Sequence, residues 1–214
     1  MPARSIASRM ASRLVQSTRR RLAASAFAAV LTVALMAGSE GGFAQSLQDK
    51  IAQCAACHGE DGQSKDPKIP HIGGQPKLFV MYQLFFYREG RRKNLEMNAI
   101  AKELKDAELD AIAGHVAKLP PTPAAGGAID EVRYKRGAEL AQQRICASCH
   151  NPDYSGREQM PRLAGQHEEY TIKALQDYRA GVRVGTQAVM AEAVRGLDDA
   201  ALAALAHYVA HVRP

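Results

Sequence analysis

The sequence predicts an all-α protein built from two small helical domains in tandem, and three observations lead to this prediction. First, one pattern of residues occurs twice in the 214-residue chain, with the copies 91 to 93 residues apart. Second, both copies place apolar residues at the i, i+3, i+4 and i+7 positions of amphipathic helices. Third, no segment alternates apolar and polar side chains over more than a few residues, as a half-buried strand would.

Three motifs carry the repeat and return in the same order. They are Cys54-Ala55-Ala56-Cys57-His58 with Cys146-Ala147-Ser148-Cys149-His150, Pro70-x-Ile72-x-Gly74-Gln75 with Pro161-x-Leu163-x-Gly165-Gln166, and Tyr87-Arg88-x-Gly90-x-Arg92 with Tyr178-Arg179-x-Gly181-x-Arg183. Because both the order and the spacing are preserved, we interpret the chain as a tandem duplication.

Residues 120–128 lie between the copies and are predicted to be a linker. Three prolines fall within four residues here and two glycines follow, a composition that cannot continue a helix. We therefore place the two domains at residues 45–119 and 129–214. Domains of this size bury a limited core, so a covalently held group is expected to help stabilise them.

Each copy is expected to begin with a short helix that leads into its first cysteine. In the first copy Leu47 and Ile51 lie one turn apart on the apolar face of this helix. The middle and last helices are predicted at residues 75–87 and 106–119 in the first copy, and at residues 166–178 and 198–212 in the second. Gly90 and Gly181 suit the position just after the end of each middle helix.

Residues 1–44 are predicted to be a cleaved export signal, which explains the basic composition of the chain. The formal net charge is +6, but this segment holds six arginines and one glutamate, which leaves 22 basic and 21 acidic residues in the remainder. The positive charge therefore does not indicate nucleic-acid binding. An uncharged apolar run at residues 22–37 follows three arginines, and small residues precede Gln45. The run is shorter than the roughly 20 residues of a membrane span; an uncleaved anchor and a cut after Ser39 are the alternatives.

All the cysteines belong to two Cys-x-x-Cys-His motifs, which are predicted to attach two haems covalently. The thioether cysteines are predicted to be Cys54, Cys57, Cys146 and Cys149, and the proximal iron ligands His58 and His150. A zinc ribbon would separate its cysteine pairs by roughly 15–20 residues, whereas 88 residues separate Cys57 from Cys146. Two disulfides, or a thioredoxin-like motif, would not require a histidine after each pair.

The sixth iron ligand is predicted to be Met97 in the first copy and Met190 in the second. These residues follow the proximal histidines by 39 and 40 residues, in the loop before the last helix, and a thioether suits low-spin haem iron. Met81 and Met160 are expected to have packing or surface roles. Ligation by a second histidine is the alternative; the other histidines are His71, His115, His167, His207 and His211. The last two could share a metal, although a solvated helix face is the expected role.

Four further residues are predicted to support the two iron sites. Pro70 and Pro161 stiffen matching loops, and a backbone carbonyl in each loop is expected to accept the second ring N–H of the proximal histidine. Arg92 and Arg183 recur close to the predicted methionine ligands. Each of them either pairs with haem propionates or lies exposed on a turn.

The combination of these motifs, with a methionine before the last helix of each copy, resembles the dihaem cytochrome c4 family. The resemblance spans about Leu47 to Val212. It implies two class I cytochrome c domains, each a small helical fold around one covalently bound haem, whose propionates approach each other across the domain interface. The sequence departs from the pattern at Asn151, where the first copy has glycine. The glycine expected at a helix crossing is present as Gly137, but its counterpart falls near Gln45.

The resemblance also implies a periplasmic electron carrier of a bacterial respiratory chain. A quinol-oxidising complex or a dehydrogenase would donate electrons and a terminal oxidase would accept them, with loose membrane association left open. Since protein ligands would fill both axial positions of each iron, catalysis is not expected. The alternative is a cytochrome subunit of a dehydrogenase, as in flavocytochrome c sulfide dehydrogenases. A dihaem peroxidase would need one iron with a displaceable ligand.

Overall fold

The computed structural model describes residues 38–183 and 188–213, with side chains from Ser46 onward. The predicted export signal lies largely outside the described residues. Within them, the regular structure consists of nine α-helices and one isolated β-bridge between Arg157 and Met160. The prediction of an all-α fold is confirmed. None of the described helices is long and apolar enough to cross a membrane.

The helices follow the repeat. The first copy contains α1 (Gly38–His58), α2 (Lys77–Arg88), α3 (Leu95–Lys102) and α4 (Asp106–Val116), and the second contains α5 (Glu131–Gln143), α6 (Ala147–His150), α7 (Glu168–Arg179), α8 (Ala188–Ala193) and α9 (Asp199–His211). The middle helices α2 and α7 begin two residues later than predicted, because Pro76 and His167 hold extended backbone with ψ of 133° and 132°. Helix α4 stops at Val116 rather than Leu119, since Pro120 disfavours helical backbone in the residue before it.

The sequence predicts a loop around Met97 and Met190, and the structure shows the short helices α3 and α8 there instead. Asn94 caps α3, because its Oδ1 accepts the backbone N–H of Met97 at 2.8 Å. Asn98 donates its side-chain amide to two backbone carbonyls near the end of α2. The loop prediction was wrong at α3 because this helix depends on a side-chain cap rather than on a long apolar period.

From Asp49 onward the described residues form one compact unit that contains the repeated motifs of both copies. In this unit two buried glutamines join the repeats. Gln75 donates Nε2 to the Arg162 carbonyl at 2.9 Å and accepts the Arg162 backbone N–H at 3.0 Å. Gln166 makes the same pair of contacts with His71, both at 2.9 Å. The two pairs occupy equivalent positions in the repeats, so exchanging the repeats exchanges the two contacts.

The predicted linker is packed against both repeats. Thr122 is buried, its carbonyl accepts Nη2 of Arg162 at 3.2 Å, and the N–H of Ala125 donates to a carbonyl of α9 at 2.7 Å. Gly165 gives the linker room, because a Cβ there would lie 2.3 Å from the Pro123 carbonyl oxygen. The glycine of the repeated Gly-Gln motif is thus required by the close approach of two backbones.

Helix α9 forms the centre of the second repeat, where it packs against α5 and α7. Leu202 of α9 is completely buried. Gly137 lies where α5 crosses α9, and a Cβ on it would lie 2.1 Å from the Ala204 carbonyl oxygen. The glycine crossing implied by the resemblance is therefore confirmed in this repeat. In the first repeat, α2 packs against α3 and α4.

The Glu108 side chain caps the start of helix α4 and also binds α1. The Glu108 carboxylate accepts the backbone N–H of Lys105 at 2.9 Å and Nζ of Lys50 at 2.7 Å. These two hydrogen bonds hold the pKa of Glu108 below its ordinary value. The carboxylate therefore stabilises the fold at neutral pH.

Replacing Glu108 by glutamine is expected to destabilise the fold by about 1 kcal/mol at neutral pH. The folded pKa is depressed, so the contribution is present above the unfolded value of 4.5 and is lost as the pH falls through the folded pKa. Thermal unfolding of the wild type and of Glu108→Gln from neutral to strongly acidic pH measures this. The gap between the two melting temperatures should close in acid, and a constant gap would contradict the assignment.

Candidate functional site

The first Cys-x-x-Cys-His motif occupies the last turn of α1. Cys54 and Cys57 lie one turn apart, and His58 is the last residue of the helix. Gly59, with φ of +82°, ends the helix and turns the chain away. His58 is buried, and its Nδ1 lies 2.9 Å from the carbonyl oxygen of Pro70. A carbonyl only accepts, so Nδ1 carries the proton and the Nε2 lone pair is left for a metal.

The second motif repeats this arrangement on α6. His150 is buried at the end of α6, and its Nδ1 lies 2.9 Å from the Pro161 carbonyl oxygen. Asn151 takes the place of Gly59 with φ of +70°. The Asn151 side chain donates to the Gly156 carbonyl at 2.9 Å, which holds this uncommon backbone conformation. The departure from the family pattern at Asn151 thus leaves the geometry of the histidine intact.

Burial sets the charge state of these side chains. It lowers the pKa values of His58 and His150, so both imidazoles are neutral, the form that ligates a metal. Burial also raises the pKa values of the Cys54 and Cys146 thiols, and no disulfide joins any of the four cysteines, so their sulfur atoms are available for covalent bonds to another group.

The predicted methionines lie close to these motifs. A mostly apolar cavity of about 140 Å³ in the first repeat is lined by Cys54, His58 and Met97, together with leucine and isoleucine side chains of α2, α3 and α4. In the second repeat Met190 and Cys146 pack against the same buried core. The structure thus places a cysteine, a histidine and a methionine together in the first repeat, and a cysteine and a methionine in the second.

The repeated Tyr-Arg-x-Gly-x-Arg motif has two structural roles. Its first arginine ties the middle helix to the start of the last helix: Arg88 bonds to Asp106 at 2.8 Å and Arg179 to Asp199 at 2.6 Å. The second arginine of each motif stacks on the tyrosine of the same motif, with the guanidinium carbon 4.6 Å or 4.7 Å from the ring centroid.

Arg92 and Arg183 meet between the two repeats. Both donate to Oε1 of Gln83 on α2, at 2.7 Å and 3.1 Å, and Arg92 also donates to the Tyr170 hydroxyl on α7 at 3.0 Å. Arg183 is buried, so an exposed turn position was the wrong alternative for this residue. Its Nε is a buried donor with no hydrogen-bond partner among the described residues. A carboxylate is an acceptor that would satisfy such a group with a strong, charge-assisted hydrogen bond.

Gln83 and Tyr170 were not predicted as site residues. Burial raises the pKa of Tyr170, but the charges and hydrogen bonds of Arg92 and Arg183 outweigh it and bring the pKa to about 8. The only sequence signal was the recurrence of Arg92 and Arg183 in the repeat. It indicated a role for the two arginines but did not identify the residues that they contact. Their partners lie on helices of different repeats, and no local pattern joins those helices.

His207 and His211 do not lie on a solvated helix face, because their exposed fractions are only 3% and 7%. The prediction failed because α9 is buried around most of its circumference. Nδ1 of His207 donates to the Glu168 carboxylate at 2.7 Å, and its Nε2 accepts the backbone N–H of Asp130 at 3.1 Å. Glu168 also binds Arg133 at 2.8 Å. A metal held by Glu168 and His207 would have to displace the hydrogen bond between them, and in the structure this cluster is satisfied as a hydrogen-bond network.

Comparisons with known proteins decide the family. The family model described as cytochrome c matches residues 134–213, and the model described as cytochrome c oxidase, cbb3-type, subunit III matches residues 45–116. A cytochrome c4 of Azotobacter vinelandii is 31% identical over 206 residues, which cover 85% of this chain and 97% of the relative. The chain belongs to the cytochrome c4 family.

Further relatives agree with this membership. The crystal structure of reduced recombinant cytochrome c4 from Pseudomonas stutzeri matches with a TM-score of 0.71 and 30% identity, over 79% of this chain and 98% of that chain. A thiosulfate dehydrogenase electron acceptor of Stutzerimonas stutzeri is 32% identical over 169 residues, covering 74% of this chain and 78% of the relative.

Membership in the cytochrome c4 family confirms the predicted fold class and cofactors. The chain carries two covalent c-type haems, attached at the Cys54/Cys57 and Cys146/Cys149 pairs of its two cytochrome c domains. It is an electron-transfer protein rather than an enzyme.

Proposed function

We propose that this protein is a periplasmic electron carrier of a bacterial respiratory chain and delivers electrons to a terminal oxidase. The observation that carries the proposal is the presence of two buried, neutral histidine sites in one compact unit. When bound, the haems supply reversible one-electron chemistry.

The proposed axial ligand pairs are His58 with Met97 and His150 with Met190. Support comes from the free Nε2 lone pairs of the histidines and from the methionines beside the same cavity or core. Neutral thioether and imidazole ligands suit a carrier, since this pair raises the reduction potential and keeps the iron low-spin.

The unpartnered Nε of Arg183 supports a propionate contact between the repeats. Arg92 is proposed to act beside it, because the two guanidinium groups share Gln83. Together they would offset the negative charge of propionates brought together at the interface.

Export and domain organisation complete the proposal. Residues 1–44 are proposed to direct export to the periplasm, where each of the segments 45–119 and 129–214 holds one haem. The packing of residues 120–128 against both repeats supports a linker that fixes the two haem sites relative to each other. A quinol-oxidising complex or a dehydrogenase is the proposed electron donor.

The second candidate is an electron acceptor dedicated to one dehydrogenase. The specific observation in its favour is the similarity to proteins named as thiosulfate dehydrogenase electron acceptors, from Stutzerimonas stutzeri and from Thiomonas intermedia at 30% identity. This candidate differs from the dehydrogenase-subunit prediction in leaving the cytochrome free to diffuse.

Oxidation and reduction by native cell fractions distinguish the two functions. The purified, reduced holoprotein is mixed with native membranes, with and without cyanide, while the oxidised holoprotein is mixed with the soluble fraction and thiosulfate. Rapid, cyanide-sensitive oxidation by membranes is expected for the respiratory carrier. Reduction that depends on thiosulfate, without oxidation by membranes, would replace the first proposal by the second. Co-purification with a catalytic chain would indicate a fixed subunit.

A further inference from the structure

The proximal histidine of each repeat is linked to a glutamine of the other repeat through a single peptide group. The peptide between Pro70 and His71 accepts the His58 Nδ1–H at its carbonyl oxygen, 2.9 Å away. The N–H of the same peptide group donates to Oε1 of Gln166, also at 2.9 Å. His58 lies in the first repeat and Gln166 in the second.

The second repeat shows the same link in the reverse direction. The carbonyl of Pro161 accepts the His150 Nδ1–H at 2.9 Å, and the N–H of Arg162 donates to Oε1 of Gln75 at 3.0 Å. Each iron ligand therefore depends on one peptide group whose other end is held by the opposite repeat.

The two glutamines are held rigidly in this role. Gln75 and Gln166 are only 5% and 6% exposed. Each also donates Nε2 to the carbonyl of the residue whose N–H it accepts, at 2.9 Å in both cases. A carboxamide bound at both ends cannot rotate away, and no water replaces it at a buried N–H without cost.

A peptide group that donates at its N–H is a stronger acceptor at its carbonyl, because hydrogen bonds in a chain polarise one another. A stronger acceptor forms a stronger hydrogen bond with the Nδ1–H of the histidine. This bond raises the electron density of the imidazole and makes it a more electron-rich ligand. An electron-rich axial ligand favours the ferric state and lowers the reduction potential. Loss of the glutamine contact should therefore raise the potential of the iron on the far side of the interface.

We propose that Gln166 and Gln75 are positioning residues that tune the two haem potentials crosswise: Gln166 acts on the His58 site and Gln75 on the His150 site. The proposal rests on the proposed proximal roles of His58 and His150, but not on the identity of the electron acceptor. Each potential is thereby set partly by the docking of the two repeats.

The test is a matched pair of volume-conserving variants, Gln166→Met and Gln75→Met, in the holoprotein. Redox titration gives the two midpoints, and the hyperfine-shifted proton resonances of the ferric proximal histidines show which haem changes. Gln166→Met is expected to lower the oxidised-to-reduced ratio of the His58 haem three- to tenfold at a fixed solution potential. This corresponds to an upward shift of its midpoint potential by about 30–60 mV for a one-electron couple. Gln75→Met should shift the His150 haem instead.

The variant Gln166→Glu separates tuning from structural damage and remains informative if the methionine variants do not fold. Its carboxylate still accepts the His71 N–H, so the potential of the His58 haem should stay unchanged or fall, whereas Gln166→Met raises it. Damage to the interface would move both variants in the same direction. The proposal is overturned if the methionine variants shift the haem of their own repeat, shift both haems equally, or shift neither. Failure of the oxidase proposal would show only in the membrane assay and leave these midpoints unchanged.

Discussion

Replacing Met190 by alanine is expected to remove methionine ligation from one haem and to leave the other unchanged. Met190 packs with Cys146 against the core of the second repeat. Alanine offers no donor atom, so the iron of that repeat becomes high-spin or takes a histidine. The weak long-wavelength band of methionine-ligated ferric haem should fall to about half of its wild-type intensity, since one of two equivalent sites is lost.

Two further variants complete this experiment. Met97→Ala should remove the other half of the band, and the double variant should lack it. Met160→Ala is the matched control, because Met160 is also half-buried and follows His150 closely but is not a proposed ligand. A native spectrum in Met190→Ala, or a loss of the band in Met160→Ala, would show that the ligand assignment is wrong.

Replacing Gly137 by alanine is expected to destabilise the second repeat by about 3 kcal/mol. The new Cβ would lie 2.1 Å from the Ala204 carbonyl oxygen and 2.6 Å from Cβ of Tyr208. Both contacts involve atoms fixed close to the backbone, so α5 must move away from α9. For a protein of this size, the melting temperature should fall by roughly 6–12 °C.

Gly114→Ala is the matched control for this prediction, because Gly114 also lies inside a helix. A Cβ at Gly114 would meet only Cε of Lys77, at 3.8 Å, which is an ordinary contact. This variant should gain about 0.5–1 kcal/mol from the helix preference of alanine. Thermal unfolding followed by circular dichroism measures both variants. A rise in the melting temperature of both variants would mean that helix propensity, and not the crossing of α5 and α9, controls stability at Gly137.

Much of the fold could be predicted because its signals are local or repeated. The duplication places three motifs in the same order twice, and the apolar periods of α2, α4, α7 and α9 mark the helices that build the cores. The short helices α3 and α8 could not be predicted in this way. Helix α3 depends on its cap Asn94, and sequence alone does not distinguish a capping asparagine from any other polar turn residue.

The candidate site was predictable to the same extent. The cysteines and histidines of the two motifs are neighbours in sequence, so their joint geometry follows from one helical turn. The surroundings of Arg183 and His207 were not predictable, and both side chains are buried where exposure was considered. The sequence does not show whether neighbouring elements will cover a given histidine or arginine side chain in the folded protein.

The sequence by itself determined the covalent chemistry of this protein, because Cys-x-x-Cys-His is a local arrangement that any helical end presents in the same way. It also determined the number of sites, because the motif occurs twice. Each proximal histidine donates a hydrogen bond to the carbonyl of one peptide group. Only the tertiary structure decided which residue binds the N–H of that same peptide group. Those contacts join Gln166 to His71 and Gln75 to Arg162, residues 95 and 87 apart in the chain. They exist only after two independently patterned repeats have docked.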